Sequence, residues 1–356
     1  MKFIHCSDIH LDSRIGELST EKRKRRREEI LSTFERLCSY AKDNDITAVI
    51  IAGDMFDREK ITAKTLSRVL GAISSASQVD FLYLPGNHES NGFLSHHEEF
   101  PDNLKYFAEE WSSFCYQNVN VSGIVLSELN AKTVYDNLIL NEKCVNIVTI
   151  HGAVAGYKTN EDAENISLPL LKDKNVDYLA LGHYHFFSSG KIDDRGQYCY
   201  SGCLDGRGFD ETGEKGFVLI DVTDNKLTFE FKSFSSRTLH QLEIPIDAEK
   251  DFFSLREKIV DLLSSKVPVT SLVKVVLTGE RSPDMDIDLD ALSYKLNELF
   301  FFAKVKDKTT LKINVEDFNE DKSVRGEFVR LVMSSDLSNE IKDAVLLLGL
   351  NSLKGE

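Results

Sequence analysis

Five short apolar runs in the first half of the chain each give way to a glycine or a metal-binding type of residue. They are "KFIHCS", "AVIIAG", "DFLYLPG", "VNIVTIHG" and "DYLALGH". Rich in Val, Ile, Leu, Phe and Tyr and bounded by polar or Gly positions, they read as buried strands. Between the first two, Ile30, Phe34, Leu37, Cys38 and Ala41 follow a helical i, i+4, i+7, i+8, i+11 stripe. The pattern predicts a second helix over 62–74 and a third over "NLKYFAEEWSSFC". Alternating strand and helix imply an α/β fold with a largely parallel sheet and helices packed on it.

Potential ligands recur just past the end of each strand. Asp8-Ile9-His10 follows the first, Gly53-Asp54-Met55-Phe56-Asp57 the second and Gly86-Asn87-His88-Glu89 the third. His151-Gly152 ends the fourth and Gly182-His183-Tyr184-His185 the fifth. In α/β sheets the carboxyl ends of strands are where sites form, and glycine lets such turns bend sharply. Carboxylate, imidazole and amide oxygen together suit Mn²⁺, Fe or Zn²⁺ better than Ca²⁺, which prefers mostly oxygen. Two Asp, four His and one Asn exceed what one ion needs and can build two adjacent sites if one Asp bridges. Two divalent ions with two carboxylates stay net positive, attract phosphate and supply a nucleophile at neutral pH. A lone His at a strand end is usually structural; a set of five such motifs in order is not.

These motifs, from Asp8 to His185, resemble those of the calcineurin-like metallophosphoesterase superfamily. The resemblance implies an αββα sandwich. It places Asp8, His10, Asp54 and His185 around one metal, and Asp54, Asn87, His151 and His183 around the other, with Asp54 as bridge. His88 is then no ligand but faces the scissile phosphate, stabilising the transition state or protonating the leaving oxygen after attack by a metal-bridging hydroxide. Asp57 is expected either to hold the His88 ring by a hydrogen bond or to be a solvent-facing carboxylate. Arg58 is either a phosphate clamp or a surface arginine. His5 is expected to be a packed core histidine.

After Ser188 the texture changes. "GFVLIDVTDNKLTFEFKSF" reads as a hairpin turning at Asp224-Asn225, and a βαβαβ pattern restarts near Leu239. The expected domains are a nuclease domain over 1–237, a small α/β capping domain over 238–315 and a helical tail over 316–356. That order is similar to the SbcD type of DNA repair nuclease, as are "YSGCLDGRGFDETGEKGF" and the tail "RGEFVRLVMSSDLSNEIKDAVLLLGL". The resemblance implies a two-metal DNA phosphodiesterase, commonly a homodimer, with Mn²⁺ as the expected metal and a tail that either docks on a coiled-coil ATPase of the SbcC type or is a helical pair packed on its own domain. Glu89 departs from the Asp usual in that branch. With "GDMFDRE" it also resembles Ser/Thr protein phosphatases, which keeps a protein phosphatase or another small-substrate metallophosphoesterase as the alternative. A non-catalytic DNA scaffold for an ATPase is a third reading, disfavoured by the intact ligand set.

Composition bears on partners and place. The net charge of −15 in 356 residues argues against a protein that coats nucleic acid. It leaves room for a local patch, because screening limits charge to a reach of about 8 Å. Such a patch is the basic run Lys22–Arg27, on the first turns of the first helix and so at the same edge as Asp8 and His10. Extending the apolar stripe backward puts Arg26 and Arg23 against the body and leaves Lys22, Lys24 and Arg25 outward, a contact for the phosphate backbone of DNA or simply a solvated face. No apolar run spans a membrane, "MKFIHCSDIH" lacks a signal-peptide layout, and six Cys without a CxxC pair read as reduced cytoplasmic thiols.

Overall fold

The computed structural model describes residues 1–57, 61–86, 100–155, 165–247, 251–281, 285–311, 318 and 320–353. Its chain forms two compact units, Met1–Leu239 and His240–Glu356.

In the first unit two six-stranded sheets pack face to face. One holds β1 (Lys2–Cys6), β2 (Ile46–Ala52), β3 (Asp80–Leu84) and β4 (Leu104–Tyr106), with the hairpin β13 (Gly216–Thr223) and β14 (Lys226–Ser233). Its order is β14-β13-β1-β2-β3-β4. The other holds β5 (Ser112–Tyr116), β6 (Val119–Gly123), β7 (Val145–His151), β10 (Tyr178–Gly182), β11 (Ser188–Lys191) and β12 (Gln197–Tyr200), in the order β11-β12-β10-β7-β6-β5. Two short strands, β8 (Ala153–Val154) and β9 (Asn165–Ile166), pair by themselves. The five motif-bearing strands are therefore divided, with β1, β2 and β3 parallel in one sheet and β7 and β10 parallel in the other.

Side-chain alternation explains the layering. Phe3, Ala48, Ile50, Leu82 and Leu84 from the first sheet share one buried cluster with Val121, Ile147, Tyr178 and Ala180 from the second. The intervening residues Val148, Ile150, Leu179 and Leu181 join a separate cluster with Val134, Leu138 and Leu171. Helices α1 (Thr20–Asp43) and α2 (Ala63–Ser75) pack on each other, and α1 also lies on β2. Ser19 caps α1 and Thr62 caps α2, each side chain accepting a backbone N–H three residues on. At the β13–β14 hairpin, Asp224 and Asn225 both take left-handed backbone, as a two-residue type I′ turn requires.

The third predicted helix is not formed. Residues 104–106 extend β3's sheet and 112–116 pair with β6. The spacing of Leu104, Phe107, Trp111 and Phe114 imitates a helical stripe. Tertiary pairing overrides it: Phe107 donates its N–H to the Tyr83 carbonyl at 2.9 Å and buries its ring edge-on to Phe114. Trp111 lies outside any helix, its Nε1 donating to the Val134 carbonyl.

The second unit begins with β15 (Leu239–Pro245), whose first residue belongs to the first unit. With β16 (Leu272–Thr278) and β18 (Phe302–Asp307) it forms a three-stranded sheet. The short strands β17 (Glu280–Arg281) and β19 (Thr310–Leu311) pair alongside. Helices α3 (Phe252–Lys266) and α4 (Leu289–Leu299) supply Leu255, Ile259, Leu292 and Leu296 to the core of that sheet. Beyond it, α5 (Val324–Met333) and α6 (Asn339–Ser352) build their own cluster from Val329, Val332, Leu346 and Leu350.

Candidate metal centre

The loops after β1 and β2 are stitched together by their backbones. Asp8 donates its N–H to the Gly53 carbonyl at 3.0 Å, His10 to Asp54 at 2.9 Å and Leu11 to Met55 at 2.9 Å, while Asp57 donates back to Leu11 at 3.1 Å. Asp8, His10, Asp54 and His183 all have positive φ, of 50°, 48°, 51° and 94°. Such conformations cost on the order of 1–3 kcal/mol each and persist where surrounding structure enforces them. Gly53 shows why this spot needs glycine: a Cβ there would run into the His151 ring.

The ligand-type side chains converge from both sheets. Asp8, His10 and His185 form one group of donor atoms within 4.8 Å of one another, and Asp8, Asp54 and His151 form a second. His10 Nε2 lies 3.3 Å from His185 Nε2. Asp54 Oδ2 stands 3.7 Å from His10 Nε2 and 3.5 Å from His151 Nε2, between one imidazole of each expected site. His183 donates its backbone N–H to both Asp8 oxygens, at 3.0 and 3.1 Å, and sets its ring edge-on to His151. Burial by itself would push the Asp8 carboxyl up. His185, His151, His10 and the Ser7 hydroxyl overcome this and hold it below the usual carboxylate range.

The residues present fit two divalent cations. Asp8 and Asp54 are buried carboxylates whose neighbours include three imidazoles, and anions so placed need compensating positive charge. The donor set is the mixed oxygen and nitrogen kind that Mn²⁺, Fe or Zn²⁺ accept.

Outer partners orient the imidazoles. His151 Nδ1 lies 2.9 Å from the Ala52 carbonyl, which leaves Nε2 facing Asp54. His185 Nδ1 lies 2.7 Å from Glu211 Oε1, and His10 Nδ1 lies 3.2 Å from Asp57 Oδ1. Burial lowers the His10 imidazole despite Asp57. For His185, burial is outweighed by Glu211 and Asp8, which raise it. Asp57 is thus a neighbour of His10; its expected pairing with His88 lies outside the described residues, as do Asn87, His88 and Arg58.

Sequence reading assigns no role to Glu211, Arg207 or Lys215. Their signal is the charge-dense stretch "LDGRGFDETGEK", inside the block past the His183–His185 motif that resembles the SbcD type. Lys215 is buried and donates to the His185 carbonyl at 2.7 Å, and the Cys203 N–H and thiol approach the same oxygen. His5 is a packed core histidine: burial pushes its imidazole down to about 3, and its Nδ1 lies 2.9 Å from the Tyr178 hydroxyl.

The basic run on α1 divides in use. Arg26 is fully buried against Asp205 and donates to the Gly206 carbonyl at 2.7 Å. Arg23, expected against the body, is exposed; in the first turn the stripe has already left the core, and Arg23 reaches only to Thr20. Arg27 donates to the Ser13 carbonyl at 3.0 Å, three residues past His10. Lys24 and Arg25 are exposed and Lys22 is half-buried, with Arg25 paired to Glu29.

Known proteins resemble the chain over much of its length. Residues 1–187 match the family described as calcineurin-like phosphoesterase. A metallophosphoesterase of Bacillus subtilis, YhaO, is 23% identical over 295 residues, covering 78% of this chain and 72% of its own. The DNA double-strand break repair protein Mre11 of Methanosarcina acetivorans is 22% identical over 323 residues, covering 86% of this chain and 50% of its own, so this chain spans about half of that relative. A dimetal phosphatase structure from Danio rerio has a TM-score of 0.48 at 14% identity, covering 64% of this chain and 95% of that one. No helix among the described residues is long and apolar enough to cross a membrane.

Proposed function

Because the chain belongs to the calcineurin-like phosphoesterase family, we propose that it is a two-metal DNA phosphodiesterase, the nuclease subunit of a repair complex with a coiled-coil ATPase of the SbcC type. The observation that carries this reading is Asp54, buried between the two sheets with its Oδ2 3.7 Å from His10 Nε2 and 3.5 Å from His151 Nε2. Asp8, His10, Asp54 and His185 would hold one ion; Asp54, Asn87, His151 and His183 would hold the other. Two such ions, Mn²⁺ in first place, supply positive charge that draws in a phosphodiester and acidify water enough for attack at neutral pH. His88 gives a proton to the leaving oxygen or stabilises the charge developing there, and Arg58 clamps a phosphate oxygen. Lys22, Lys24 and Arg25 hold the DNA backbone without reading sequence.

DNA is favoured as substrate because the relatives named for double-strand break repair align well beyond residue 187, into the second unit. We assign the ATPase to the tail. There α5 and α6 bury one face yet leave Val324, Leu331, Ile341 and Leu348 exposed, an apolar surface of the kind partners cover.

Purified full-length protein with Mn²⁺ is expected to degrade duplex ends. His88→Ala is expected to lose about 10²–10⁴-fold in rate while still binding two ions. Hydrolysis of phosphomonoesters alone would establish the phosphatase reading instead. Metal-loaded protein that binds DNA and cuts nothing, with or without the ATPase, would establish a scaffold.

A further inference from the structure

The two imidazoles of the first donor group are backed by different carboxylates on different loops, and one guanidinium holds both. Arg207 Nη1 donates to Asp57 Oδ1 at 3.1 Å. Its Nη2 and Nε donate to Glu211 Oε1 at 2.7 and 3.1 Å, and its backbone N–H donates to Glu211 Oε2 at 2.6 Å. Asp57 Oδ1 in turn faces His10 Nδ1, and Glu211 Oε1 faces His185 Nδ1. The chain His10–Asp57–Arg207–Glu211–His185 therefore runs along the Nδ1 sides of the two imidazoles.

At His151, in the second donor group, the arrangement is different. Its Nδ1 is set by the main-chain carbonyl of Ala52, a partner that no side-chain substitution removes. We propose that Arg207 is a positioning residue for one metal of the pair only, fixing His10 and His185 together through Asp57 and Glu211. This rests on the two-metal reading above.

The physical basis is the fork. A planar guanidinium with several fixed donors sets the place of two carboxylates at once, which a point charge such as lysine does not. With Glu211 2.7 Å from its Nδ1, His185 would present its Nε2 lone pair toward a cation, and Asp57, 3.2 Å from His10 Nδ1, would bias that ring the same way. Removing the fork takes away the one donor group that both carboxylates share, and the settings of both imidazoles loosen together. Outer partners of this kind are worth about 10–100-fold in metal affinity.

The test is Mn²⁺ titration of metal-stripped full-length protein by calorimetry, with thermal unfolding of the stripped form alongside. Wild-type protein is expected to show two binding steps. Arg207→Gln is expected to weaken one step by about tenfold or more and to leave the other unchanged. Arg207→Lys is expected to restore folding stability but not that step. Asp57→Asn, at a side chain 22% exposed, is expected to weaken the same step, with no further loss when combined with Arg207→Gln. Equal weakening of both steps, no weakening, or full rescue by lysine would overturn the inference. Absence of two steps in the wild type would instead overturn the two-metal reading on which it stands.

Discussion

Arg26 and Asp205 form an ion pair in which both side chains are fully buried. Asp205 also accepts from the Thr33 hydroxyl at 2.9 Å and from the Ser236 N–H and hydroxyl at 2.9 and 2.7 Å. Arg26, fifth in the basic run, is therefore a bolt between α1 and the segment that leads into Arg207. Breaking a buried pair by removing one partner strands the other charge and costs about 3–5 kcal/mol. Arg26→Met is expected to lower unfolding free energy by that amount in urea titrations. Arg26→Met with Asp205→Leu is expected to lose less than the two single changes summed. A loss well under 1 kcal/mol for the single change would show that the pair contributes nothing.

The outward residues of the same run are expected to behave differently. Charge reversal at Lys22, Lys24 and Arg25 leaves the Arg26–Asp205 bolt in place, so melting temperature should move little. Affinity for duplex DNA should fall, and the slope of log affinity against log salt should flatten by up to about 2–3, near 0.9 for each phosphate no longer neutralised. Filter binding across a salt series measures both. Unchanged affinity and slope would leave these side chains a solvated helix face.

Acid should find His5. Burial pushes its imidazole down to about 3, whereas the unfolded chain titrates near 6.5. The folded form thus requires the neutral ring. The stability this supports is complete above pH 6.5 and is lost as pH falls from there toward 3, because the unfolded chain takes up a proton that the folded chain refuses. His5→Gln removes that proton uptake. Between pH 6.5 and 5 the wild type should therefore lose roughly 1–2 kcal/mol more than the variant, in paired denaturant titrations. Parallel pH profiles for the two proteins would contradict the buried neutral assignment.

Much of the first unit can be read from residue order. The strands that carry Asp8, Asp54, His151 and His183 announce themselves by apolar runs that end in ligand-type residues, since burial and function meet at strand ends. Which strands pair is not legible. Apolar runs buried on both faces look alike whether they lie in one sheet or two, and the division of β1–β3 from β7 and β10 depends on contacts far apart in the chain. For the same reason the segment around Phe107 has a helical spacing that only its pairing with β3 overrules. The outer partners are hidden more deeply. Nothing local in "GRGFDE" links Arg207 to Asp57, 150 residues away, because charge alone does not say what it will face after folding.

The main-chain bonds that lock Asp8 and His10 onto Gly53 and Asp54 have a consequence for metal removal. A socket framed by backbone does not depend on any one guest for its shape. The two loops are tied main chain to main chain, so chelation is expected to empty the socket and leave its frame standing.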